Sequence, residues 1–257
     1  MSIDLRILGC HGGETRDHRT SAFLVDGRLA VDAGSITGTL TLEEQRRIEV
    51  VLVSHAHMDH VRDLATLADN RCQQGGPPLT IAATEGTIHV LKTHFFNGRL
   101  WPDFTQIETL YGPTVCFQVV HPETPIELSG LRVTAVMVNH TVETSAFVID
   151  NSTSALAYSG DTGPTDRLWE VLAKQSNLRG LLVETSFPNA KADLARISGH
   201  HTPLTLNQDL AKLRGHSGMP VFIFHIKPLF QTQVEHEIQQ LNRTEVTILK
   251  LGDTFKL

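Results

Sequence analysis

Apolar and polar residues alternate at the start of the chain, with Ile3, Leu5 and Ile7 interleaved with Asp4 and Arg6. A period of two is the signature of a strand with one buried face. The same kind of reading predicts strands over 3–8, 22–25 and 29–31, punctuated by Gly12-Gly13, Asp26-Gly27 and Gly34. A short charged helix over 42–50 runs into a strand over 50–53, and 61–68 has helical spacing. Residues 71–78, with two glycines and two prolines, read as a loop, and 84–95 as a helix with Thr84 as N-cap and Gly98 shortly past its end. Strands return over 105–110, 115–120, 131–138, 146–149 and 155–159. Helices over 164–174 and 203–214 flank a strand over 181–184, and a strand over 221–224, a helix over 232–241 and a strand over 246–249 close the chain. Both halves thus run strands first and helices after, an order that helices on the outer faces of two stacked sheets would produce. The polar clusters described next come from both halves, so residues 1–257 are expected to form one domain.

Chemistry concentrates where apolar runs stop. The run Val51–Val53 ends at Ser54 and is followed by His55, His57, Asp59 and His60 within six positions. Alternation would put His55 and His57 on one face. Imidazole nitrogen and carboxylate oxygen without thiolate suit zinc, manganese or iron. Four donors on one loop exceed what a single tetrahedral structural site takes from it, which suggests two ions. Further donors follow other apolar runs: His140 after VTAVMV, Asp161 in YSGDTG, Glu184 in LLVETS, His225 after VFIF, and His200 with His201 in SGHHTP. Asp32, in LAVDAGS, stands where a carboxylate could accept the second N–H of a ligating histidine and fix its tautomer. The remaining histidines, His11, His18, His89, His94, His121, His201, His216 and His236, default to solvated surface, with His11 on the Gly12-Gly13 turn the one to reconsider.

Composition narrows the field. Hydrophobic residues make up 40% and charged residues 19% of 257, enough for a sizeable core. A net charge of −6 argues against a polyanionic nucleic-acid partner, although bound cations can still hold one small phosphate ester. Three scattered cysteines form no CxxC pair or disulfide framework. The N-terminus has no secretion-signal pattern, and no apolar run approaches the ~20 residues that span a bilayer. These features together point to a cytoplasmic protein without a membrane partner.

HAHMDH, followed in order by NHT, SGDTG and a late apolar strand ending in His225, resembles the metallo-β-lactamase superfamily over essentially the whole chain. The resemblance implies an α/β, four-layer αββα sandwich with a dinuclear metal site at the edge of the sheets. It assigns His55, His57 and His140 to one ion and Asp59, His60 and His225 to the other, with Asp161 bridging. It also favours two Zn2+ ions. The segments GCHGG, HFFNGRLWPDF, ETSFPN, GHHTP and HIKP are similar to the class II cyclic-nucleotide phosphodiesterases. That likeness implies hydrolysis of small cyclic 3′,5′-nucleotides, cyclic AMP and also cyclic GMP, to 5′-monophosphates by a hydroxide bridging the two ions, and it implies a homodimer. The chain departs from that family at Met58, Asp63 and His201, and Asp63, just past the ligand loop, bears on how the pocket accepts a phosphate.

The departing 3′ oxygen needs a proton, and His200 is the candidate donor with Glu184 as its orienter, a pair resembling one in the tRNA 3′-processing branch of the fold. Phe95, Phe96, Trp101 and Phe104 form an aromatic cluster for which base stacking, a small core and a dimer contact are all open, Phe96 and Trp101 being the candidates for substrate contact. Competing functions are a tRNA-processing nuclease, a broad phosphoesterase or other hydrolase of the fold, and a metal-loaded module without activity.

Overall fold

The computed structural model describes residues 2–257. Among the described residues, sixteen strands and eight α-helices build two seven-stranded sheets and one small hairpin. In the first sheet, β1 (Asp4–Gly9), β2 (Ala22–Val25) and β3 (Leu29–Val31) pair antiparallel. Strands β4 (Val50–Leu52), β5 (Leu79–Ala83) and β8 (Val115–Val119) then continue parallel to β3. The hairpin is β6 (Glu108–Thr109) with β7 (Gly112–Pro113). The second sheet repeats the plan: β9 (Ile126–Leu128), β10 (Leu131–Met137), β11 (Ser145–Asp150) and β12 (Ala155–Tyr158) pair antiparallel. Strands β13 (Leu178–Glu184), β14 (Val221–Phe224) and β15 (Val246–Ile248) then run parallel. The last strand, β16 (Thr254–Lys256), crosses back to pair with β1 in the first sheet.

Helices cover the outer faces. Those on the first sheet are α1 (Leu42–Arg47), α2 (Met58–Val61), α3 (Leu64–Gln74) and α4 (Glu85–Val90), the last extended by a π-helical turn over Leu91–Phe95. Those of the second half are α5 (Arg167–Leu172), α6 (Ala192–Ser198), α7 (Pro203–Leu210) and α8 (Gln231–Gln240). The core has three layers. One lies between the sheets and takes Ile3, Phe23 and Leu52 from the first and Val133, Phe147, Tyr158 and Phe224 from the second. The other two lie under the helices of each side. This is the expected αββα sandwich.

The sequence reading differs from the structure in places that have physical reasons. Residues 71–74, expected in a loop, finish α3, whose C-terminus falls at the glycine pair Gly75-Gly76. The strand expected over 105–110 shrinks to the two-residue β6. Thr84 does occupy the N-cap of α4, but its hydroxyl reaches Glu143 and gives the helix no cap bond.

The sheet plan brings the chemistry to one edge. Strands β3 and β4 run parallel, so Asp32 and residues 54–60 leave from the same end. In the second sheet β10 and β12 are each antiparallel to β11, and β13 and β14 run parallel to β12, so residues after all four strands emerge together. Those residues include His140, Asp161, Glu184 and His225.

Candidate metal centre

Six imidazoles and three carboxylates meet at this edge. Ligand atoms of His55, His57 and His140 lie within 4.8 Å of one another, and so do those of Asp59, His60 and His225. Asp161 stands between the sets, with Oδ2 3.8 Å from His55 Nε2, 3.3 Å from His60 Nε2 and 3.2 Å from His225 Nε2. Ligand atoms of His200 fall within the same 4.8 Å limit of His140 and Asp161, and of Glu184 and His225.

Hydrogen bonds on the far side of the rings decide which nitrogens face inward as lone pairs. His60 Nδ1 lies 2.7 Å from Asp32 Oδ2 and His140 Nδ1 lies 2.9 Å from the Gly199 carbonyl; both partners only accept, so both Nδ1 atoms carry the proton. His55 Nδ1 lies 3.0 Å from Ser54 Oγ, whose own proton goes to Asp32 Oδ2 at 2.8 Å. His225 Nδ1 lies 2.9 Å from Ser186 Oγ, whose proton goes to Glu184 Oε2 at 3.0 Å. His55, His140 and His225 therefore present bare Nε2 atoms to the centre, while His60 Nε2, 3.3 Å from Asp161 Oδ2, holds a proton that it would release to a cation. His57 presents Nδ1, 3.0 Å from His55 Nε2 and 3.3 Å from His140 Nε2. Lone pairs pointed at one another repel unless a cation lies among them. Asp161 Oδ1 adds a buried acceptor with no hydrogen-bond partner. Convergent nitrogen lone pairs and an unpaired buried carboxylate oxygen are the donor set that divalent cations require.

The backbone supports this arrangement with local strain. Asp32 and His225 both hold positive φ, 56° and 68°, which side-chain-bearing residues rarely adopt. Asp32 is fully buried; its Oδ1 accepts from Ser54 N at 2.7 Å, and Oδ2 accepts from Tyr158 Oη at 2.5 Å as well as from Ser54 and His60. Gly199 ends α6 at φ 68°, and a Cβ there would meet His140 Cα at 2.9 Å, so glycine lets the His140 loop approach closely.

Charges inside the centre are strongly displaced. Burial would raise the Asp161 carboxyl, but His225 and His60 outweigh it and hold it well below the usual range. Burial alone would lower His60, yet Asp161 and Asp32 raise it well above an ordinary histidine. His55 goes the other way, lowered first by burial and then by His60. Burial opposes an ion pair of Glu184 with His200, but their mutual attraction prevails, leaving Glu184 lowered and His200 raised. His200 Nδ1 sits 2.7 Å from Glu184 Oε1, which also accepts from Thr162 N at 3.1 Å.

Other sequence expectations meet a different outcome. Phe96 is 2% exposed and packs edge-on against Phe95, Phe104 and Phe117, so the aromatic cluster is a core and Phe96 has no free face for a base. Trp101 stays 37% exposed and donates its N–H to the Ala65 carbonyl at 3.0 Å. Asp63 turns from the pocket toward Thr37, whose N and Oγ1 donate to its Oδ2 at 2.7 and 2.9 Å. His201 is fully buried, with Nδ1 3.1 Å from Thr205 Oγ1, and His11 is only 9% exposed beside Arg19. Neither is the solvated surface histidine expected. Partners that the sequence did not single out are Ser54, Tyr158, Ser186 and Lys227. Lys227 Nζ lies 3.9 Å from Asp59 Oδ2, and the signal for it was the HIKP segment itself.

Fold and donor set together define a class of protein. The family model described as a beta-lactamase superfamily domain matches residues 28–226, and the chain belongs to that superfamily of metal-dependent hydrolases. Within it, the chain resembles the class II cyclic-nucleotide phosphodiesterases. It is 33% identical to a probable 3′,5′-cyclic-nucleotide phosphodiesterase of Yersinia pestis, over 91% of this chain and 76% of that one. It is 28% identical to a 3′,5′-cyclic-nucleotide phosphodiesterase of Aliivibrio fischeri, over 88% and 82%. Among solved structures, unliganded yeast PDE1 superposes with a TM-score of 0.85 at 19% identity, over 100% of this chain and 99% of that one. Human tRNase Z, short form, superposes at 0.72 with 16% identity over 98% of both. These two show the shared fold. The superfamily implies divalent metal ions, and the His and Asp clusters fit them.

Proposed function

We propose that residues 1–257 act as one metallo-hydrolase domain that hydrolyses 3′,5′-cyclic nucleotides, cyclic AMP first, to 5′-monophosphates. The observation that carries the reading is the pair of donor clusters sharing Asp161 beside the Glu184–His200 ion pair. The identity to two relatives named cyclic-nucleotide phosphodiesterases supports the substrate class.

His55, His57 and His140 would hold one ion, Asp59, His60 and His225 the second, and Asp161 both. Two divalent cations held there, zinc by family likeness, would supply a water nucleophile at neutral pH and offset charge building on the phosphoryl oxygens. Asp32 fixes the His60 tautomer, and Ser54 and Ser186 fix those of His55 and His225. Asp59, as a ligand facing Lys227, sets the charge on that side of the phosphate. His200, kept protonated by Glu184, donates the proton that the leaving 3′ oxygen takes up. Three free cysteines, Cys10 buried and Cys72 and Cys116 half-buried, support a reducing compartment.

The test is turnover of cyclic AMP, cyclic GMP, a chromogenic phosphodiester and precursor tRNA, side by side, on zinc-loaded protein. Release of a 5′-monophosphate from a cyclic nucleotide is the expected result. Cleavage of precursor tRNA alone would move the chain to the nuclease branch, and no turnover of any of them would leave a metal-loaded module.

A further inference from the structure

A cleft of about 360 Å3 opens beside the donor clusters, and none of the roles assigned so far uses it. Ala56, Val90 and Val142 give it apolar walls, Gly86 and Thr87 bring the first turn of α4, and His57 and Glu143 are its polar groups. It shares with the donor clusters His57, whose Nδ1 lies 3.0 Å from His55 Nε2 and 3.3 Å from His140 Nε2. Ala56 and Val142 sit on the same two loops as these histidines.

The cleft is held in shape by a bond across it. Glu143 Oε1 accepts from Thr84 Oγ1 at 2.5 Å and from Gly86 N at 3.1 Å, tying the start of α4 to the His140 loop. A Cβ at Gly86 would lie 2.5 Å from Glu143 Oε1, so the glycine lets the carboxylate sit against the helix start. Fixed apolar walls with one or two polar groups are the usual make-up of a small-molecule subsite, and the volume is near the lower end of the ~300–1,000 Å3 such sites occupy.

We propose that this cleft receives the nucleobase of the substrate, with Val90 and Val142 against the ring faces and Glu143 accepting from an amino group on the base edge. The inference rests on the cyclic-nucleotide reading above. A base has planar apolar faces and N–H donors at its rim, and apolar side chains with a carboxylate that only accepts complement both. The subsite takes over the role that the aromatic cluster around Phe96 cannot fill.

The experiment compares 5′-AMP with ribose 5-phosphate, the same phosphate and sugar without the base, by calorimetry on zinc-loaded protein. Variants Val142→Trp and Val90→Trp fill the cleft from opposite walls; both positions are partly exposed, 42% and 38%, so the larger ring has room outside the core. The wild-type protein should bind 5′-AMP at least about tenfold more tightly than ribose 5-phosphate. Each variant should lose that preference and keep its affinity for ribose 5-phosphate. Equal binding of the two ligands by the wild-type protein overturns the base subsite and leaves the phosphodiesterase reading standing. So does a preference that survives both substitutions, or a loss that falls equally on the two ligands. If the wild-type protein binds neither phosphate, the phosphodiesterase reading fails and the subsite fails with it.

Discussion

Asp32 Oδ2 accepts from three side chains, His60, Ser54 and Tyr158, and through two of them it sets which nitrogen of His60 and of His55 carries a proton. At residue scale the centre is a problem of proton placement, solved by acceptors at strand ends. The same logic applies to His200, whose Nδ1 is committed to Glu184, leaving Nε2 as its other proton-bearing atom. On the proposed reaction, His200→Ala is expected to lower turnover by roughly 10²–10⁴-fold with the bound metal retained. Steady-state kinetics with elemental analysis of the same preparation reads both quantities. Loss of metal would make His200 a ligand, a role its reach to His140 and Asp161 allows, and unchanged turnover would remove it from the reaction. The donors were legible in the sequence because each follows an apolar run, and four share one loop. Ser54 and Ser186 were not, because a serine beside a histidine carries no signal until its proton has a destination, here Asp32 and Glu184. Phe96 misled for a related reason: an aromatic residue in a cluster reads the same whether its face is open or packed.

Between elements, one buried carboxylate does comparable work for stability. Asp150, at the end of β11 and 3% exposed, accepts from Arg132 on β10 at 2.5 Å, from Ser152 N at 2.6 Å, and from Asn177 and Gln175, just before β13, at 2.9 and 3.2 Å. Burial would raise its pKa, but Arg132, Asn177 and the Ser152 amide together lower it. A carboxyl with a lowered native pKa stabilises the fold above the unfolded value, about 3.9, and loses that contribution as the pH falls through the native value. Asp150→Asn should cost about 1–3 kcal/mol near neutrality. The gap to the wild-type protein should close progressively below about pH 5. Denaturant melts at several pH values would show it, and a constant gap down to acid would mean the carboxylate charge does not matter. Most strands on the two sheets were readable because their burial is continuous or alternating. Strand β5 (LTIAA) follows a Gly-Pro loop and is rich in small residues, and β16 is three residues long and exists through pairing with β1. Helix α6 buries only Ala195, so it shows no apolar stripe to find.

Across the whole molecule the two sheets share a plan, three antiparallel pairings followed by three parallel ones, and each contributes donors to one centre. His55, His57, Asp59 and His60 come from the first sheet, and His140, Asp161 and His225 from the second. A cation bound across that boundary ties the halves together in the native state and has no comparable site in the unfolded chain, so metal binding adds to folding free energy. The linkage is mass action: about 2.7 kcal/mol for one site at a free-ion concentration of 100 Kd. For a chain of this size that is roughly 5–10 °C in melting temperature. Thermal melts with excess chelator and across a zinc titration should therefore separate by at least that interval, with the midpoint rising with the logarithm of zinc. An Asp161→Asn variant should show a smaller response, because the one carboxylate common to both clusters has lost its charge. Melting curves that superimpose with and without chelator would mean that no ion spans the sheets, whatever the donors resemble, and the hydrolytic reading would lose its physical basis.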